Sequence, residues 1–181
     1  MRDAIAGALL IAAVSTLGDF VWAGLHLRHR VIYGLMHGTI LFACMGAYFG
    51  SLKRWPLQGA MYGAAIGLVA AGSFYVLAPI AGYSVMFVVW AFIWIALAFL
   101  VRNPPVVWRG VLAMAGSGLG FYAISGIWRP FDPQGWDYAV HFLSWTVAYL
   151  PGFLALLVAR GSTLGGATGM DPAQERLASG D

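Results

Sequence analysis

The chain has 181 residues, of which 61% are hydrophobic and only 9% charged, with a formal net charge of +3. A soluble domain carries roughly 25% charged residues, so too few charges are present to coat a water-facing surface. The basic residues fall at the ends of apolar runs and form no basic patch, which argues against a nucleic-acid partner.

Runs of about 20 apolar residues, the length needed to cross ~30 Å of hydrocarbon, predict an all-α polytopic membrane protein: a bundle of six transmembrane helices. The first run, 4–27, is too long for a cleaved signal segment and reads as a retained span. It contains Asp19. If the turn into the second run, 31–52, centres near residues 28 and 29, the antiparallel partner of Asp19 falls beside His37. Asp19 then lies about 13 Å from the turn at 1.5 Å per residue. An ionisable group at such depth is expensive and is by default a functional-site hypothesis. An imidazole opposite it offers a charge partner, and Ser15 and Thr16, one turn earlier, offer hydroxyls. Asp19, Trp22 and His26 share one helical face, while Arg30, Tyr33, His37 and Cys44 share another. Where those faces meet, an aromatic-lined polar cleft is expected. His26 and His29 flank the turn, where interfacial hydration is the commoner role.

In the third run, 57–80, Gly59, Gly63 and Gly67 form a row of small residues, echoed by Gly34–Gly38, Gly46–Gly50 and Gly116–Gly120. Such rows let helix backbones approach closely. Packing inside the bundle is the principal expectation, and a homo-oligomer or membrane-protein partner on the Gly59 face the second. Ala78-Pro79 reads as the stop of this run. The fourth run, 84–101, presents Phe87, Trp90 and Trp94 on one stripe, a wall for helix packing or for an apolar ligand. The fifth spans 106–128 and the sixth 137–159. In the sixth, Asp137 and His141 are spaced i, i+4, with Asp137 better suited to the helix N-terminus. Ser144 and Trp145 continue the His141 side, and Pro151-Gly152 is expected to loosen the helix and open a pocket beside it.

Connections are short, so consecutive helices should be antiparallel neighbours. Arg2, Lys53, Arg54, Arg102, Arg109, Arg160 and Arg176 fall on one side, and only Arg28, Arg30 and Arg129 on the other. The positive-inside rule then puts both termini in the cytoplasm, the histidines toward the outer face, and the protein in a bacterial inner membrane. Residues 1–160 form the membrane domain. Residues 161–181, rich in Gly, Ser and Thr, read as a disordered tail.

Chemistry is harder to assign. Cys44 is the one cysteine, so no intrachain disulfide or cysteine metal motif exists. Three histidines and a carboxylate are a sufficient ligand set for zinc or non-haem iron, and His37 with His141 for a haem. No established metal spacing occurs, however, and the spans contain no Glu, so the cofactor stays open. No Gly-x-Ser-x-Gly elbow or phosphate loop is present. The leading expectation is a small membrane protein that binds a lipid-like ligand or partner, using Trp22, His26, Arg30 and Tyr33 together with Trp90, Trp94 and Trp145. The alternative is a membrane enzyme in which Asp19, His37 and His141 perform acid–base or metal-assisted work on a lipid-soluble substrate. A transporter is disfavoured, because no polar path continues from Asp19 to the cytoplasmic side.

Overall fold

The computed structural model describes residues 1–25, 29–101, 106–125 and 134–157, with the side chains of 22, 23, 30, 83, 106, 107 and 119–125 outside that description. The described chain is all-helical: α1 (Arg2–Gly24), α2 (Arg30–Ser51), α3 (Pro56–Ala81), α4 (Val85–Val101), α5 (Val106–Ser125) and α6 (Gly135–Leu157). A single 3-10 turn, Gly82–Ser84, links α3 to α4. Among the described residues no strand occurs. Among the described residues four helices, α1, α2, α3 and α6, are long and apolar enough to cross a membrane. α4 has 17 residues, about 26 Å at 1.5 Å per residue, shorter than a hydrocarbon core of ~30 Å. Large apolar side chains such as Leu17, Val76, Phe99 and Val147 stand exposed along the outer faces. In water such a surface would promote association, whereas lipid solvates it. The expected tail, 161–181, lies outside the described residues.

The helices close into a ring. Each packs against the next in sequence and α6 returns to α1, with α2–α3 the most extensive contact and α1–α2 the sparsest. The strength of the α2–α3 contact comes from glycine. Gly46 lies against Gly59 and Gly63, Gly63 against the Phe42 carbonyl, and Gly67 against the Gly38 carbonyl, all closer than any Cβ permits. Backbone meets backbone there, held by dispersion and Cα–H contacts to carbonyl oxygens. The face of Gly59, Gly63 and Gly67 is thus covered by α2 of the same chain.

Two breakers behave differently from expectation. α3 runs through Pro79, and it ends at Gly82, whose φ is +59° and whose N–H reaches the Ala78 carbonyl. A proline so near a helix end loses little hydrogen bonding, and the left-handed glycine supplies the stop. Likewise α6 continues through Pro151. Gly152 makes room for the indole of Trp94, and Pro151 packs on Gly116, so the expected opening beside the pair is filled by side chains.

A paired substitution tests the glycine contact. Gly63→Ala, which drives a methyl into the Phe42 carbonyl, should cost about 1–3 kcal/mol or more as overpacking. Gly72→Ala points into open space and should be neutral or slightly stabilising. Unfolding in a graded denaturing-detergent series reads both.

Candidate functional site

α1 turns the face carrying Ser15 and Asp19 toward α6. Asp19 lies five residues before the last residue of α1, about 8 Å along the axis. It is shallower than the sequence implied, because the helix ends at Gly24 rather than near residue 27. Its residue is only 2% exposed. The indole Nε1 of Trp145 donates to its Oδ2 at 2.8 Å. The Tyr33 hydroxyl also hydrogen-bonds its carboxylate. His141 Nδ1 stands 3.6 Å from Oδ2 and His37 Nε2 3.9 Å from Oδ1. Those two distances exceed hydrogen-bond length, so the imidazoles act on the carboxylate as electrostatic neighbours. An ion taken out of water costs several kcal/mol, and a hydrogen bond to a charged group restores roughly 1.5–3 kcal/mol. Donors from both α2 and α6 are therefore required to keep Asp19 where it is.

Aromatic rings fix the two histidines. Tyr33 stacks on His37 with centroids 5.7 Å apart and an interplanar angle of 15°. Phe20 lies 4.9 Å from the fully buried His141, and Tyr138 stacks on Phe20 at 3.9 Å. One turn beyond Trp145, the Tyr149 ring runs parallel to its indole at 5.4 Å, and the Tyr149 hydroxyl pairs with Ser15 Oγ at 3.0 Å. Thr16 donates to the Ala12 carbonyl at 2.8 Å. Neither hydroxyl near Asp19 serves its carboxylate, contrary to the sequence expectation. Tyr149 is the residue that sequence reasoning missed. Its signal was present: His141, Trp145 and Tyr149 recur every four residues and so share one helical face.

Beside this network lies a half-open cavity of about 140 Å³ between α2, α4 and α6, with His37, Trp90, Trp94, Trp145 and Tyr149 in its walls. A second hollow, about 240 Å³, follows the sparse α1–α2 seam. It is flanked by the exposed Leu17, Val21 and Ile40. His37 and Leu41 belong to both walls.

The structure therefore brings together Asp19, Tyr33, His37, His141 and Trp145, and sets Trp90 and Trp94 across the cavity from Trp145. Other expected members are absent from it or undescribed. His29 is exposed at the start of α2 and makes no capping bond. Trp22 and Arg30 are described in backbone alone, and His26 lies outside the described residues. Asp137 faces its own helix start, where Oδ2 accepts from the Gln134 N–H at 2.8 Å, the return bond of a capping box. Among the described residues no group of three or more His, Cys, Asp or Glu side chains is arranged to hold a metal. The two imidazoles turn to the same carboxylate, which leaves neither facing the other across a haem.

Comparison with family models, curated proteins and solved structures finds no match.

Trp145→Phe keeps the ring and removes the only indole donor at this position. It should destabilise the fold by about 1–3 kcal/mol, the cost of stranding a buried acceptor. Ser15→Ala, which leaves Tyr149 without its partner, should cost about 1 kcal/mol. Denaturing-detergent titration of each single variant measures both.

Proposed function

We propose that the protein is a six-span integral membrane protein, with both termini cytoplasmic and the bacterial inner membrane as its site, that binds a lipid-like ligand in the cavity beside Asp19. The observation that carries this reading is the convergence of His37, Trp90, Trp94 and Trp145 on one cavity, with a buried carboxylate immediately behind its wall. Mostly apolar walls with a few convergent polar groups are what small-molecule sites have in common. The volume, about 140 Å³, is below the roughly 300–1,000 Å³ of pockets that enclose a whole ligand. It suits one end of an amphiphile whose remainder stays in the bilayer. The hollow along the α1–α2 seam, which opens among exposed apolar side chains, adjoins the cavity across His37 and Leu41 and offers that remainder a place beside it.

Purification in mild detergent followed by mass spectrometry tests the reading. A stoichiometric lipid or lipophilic compound is expected in the wild-type protein, and its amount should fall several-fold in Trp90→Ala, a partly buried wall residue. A wild-type protein free of any such compound, and unable to take one up from added lipid extract, would sink the proposal.

A second reading is favoured by the position of His37, which lines the cavity while Asp19 stands behind it. A carboxylate backing an imidazole that faces a ligand is the layout of an acid–base pair. In that case Asp19→Asn and His37→Gln, each folded, should abolish one conversion of the co-purifying compound. Variants that change stability alone assign the pair a structural role.

A further inference from the structure

The cavity walls combine two features that together select a ligand class. Its lining includes three tryptophans and a tyrosine, Trp90, Trp94, Trp145 and Tyr149. Directly behind two wall members lies a buried acidic side chain: Trp145 donates to Asp19 at 2.8 Å, and His37 stands 3.9 Å from it. Among the described residues no lysine or arginine pairs with that carboxylate; the basic side chains beside it are the imidazoles of His37 and His141, which carry charge only when protonated.

We propose that the cavity takes a lipophilic ammonium group, a quaternary or methylated amine carried on an apolar tail, with Asp19 as its counter-charge. This rests on the lipid-binding reading above and names the end of the ligand that enters. Aromatic faces attract cations through the ring quadrupole, most strongly once water is excluded, and tryptophan is the best of them. An unmethylated ammonium is compact and strongly hydrated, and an apolar wall cannot replace its water. Methylation spreads the charge over an apolar surface that the rings can contact. A phosphate or carboxylate end is disfavoured by the same geometry, because it would face Asp19 across one side-chain layer, where like charges repel and the screening of bulk water is missing. Size agrees as well. A cavity of about 140 Å³ is close to the engineered apolar cavity of ~150 Å³ that holds one benzene ring, room for a single compact group.

The test compares two probes of nearly equal shape, decyltrimethylammonium and its uncharged carbon isostere 2,2-dimethyldodecane, each titrated into the full-length protein in maltoside micelles and read by tryptophan fluorescence. Wild-type protein should bind the ammonium at least tenfold more tightly than the isostere. Asp19→Asn should bring the two affinities together. Should that variant fail to fold, Trp90→Leu, which retains apolar volume and removes a π-face, should weaken the ammonium several-fold and the isostere little. Equal affinity in the wild type, or preference for the isostere, overturns the ammonium assignment and leaves the lipid-binding reading standing. Binding of neither probe overturns both.

Discussion

A carboxylate withdrawn from water must find donors from more than one direction, and Asp19 draws them from helices far apart in sequence. The indole of Trp145 arrives from α6 and the hydroxyl of Tyr33 from α2, with one imidazole from each of the same two helices. This requirement fixes α1 between α2 and α6 and so closes the ring. It also sets the rotation of α1, since Ser15, one turn away, must reach Tyr149 on the same side. Apolar packing alone would leave that rotation weakly specified, because Leu, Ile and Val side chains fit lipid and protein about equally well. Polar contacts supply the specificity.

The bundle is correspondingly uneven. On one side, α2 and α3 meet at glycine along most of their length, and a single added methyl has nowhere to go. On the other, α1 and α2 meet sparsely, and their seam holds a hollow instead of interdigitated side chains. α2 is thus anchored by its glycine face while its opposite edge, with His37 and Leu41, borders open space.

Much of this was legible in the sequence, for identifiable reasons. The apolar runs gave the helices because 20-residue stretches have few other uses. Asp19 and His37 were paired by simple register, since a short turn leaves an antiparallel hairpin little freedom. The i, i+4 spacing of Asp137 and His141 was ambiguous: the capping alternative proved to describe Asp137, and His141 turned to Asp19 instead. What stayed hidden depended on which distant helices meet. Trp145 was one aromatic among many until α6 was seen to pack on α1, and Tyr149 gained its role only through Ser15. Pro79 and Pro151 misled because proline removes one donor without dictating the path of the chain. Near a helix end, or with Trp94 filling the space at Gly152, that loss is easily tolerated.

The size of the cavity separates two properties that a binding site in water must supply together. In the proposed reading, most of the ligand stays dissolved in the bilayer, so its local concentration comes from partitioning and its tail contributes little to discrimination between lipids. Only the group that passes His37 and Leu41 is compared by the walls. Discrimination is a difference between affinities, and here it is confined to a space holding one compact group. A small change in that space, such as the loss of one indole face or one carboxylate charge, should therefore alter which ligand is chosen far more than how much lipid surrounds the protein. Dense aromatic walls and a deeply buried acid are costly to assemble in so small a bundle, and their concentration around one cavity is what such a division of labour calls for.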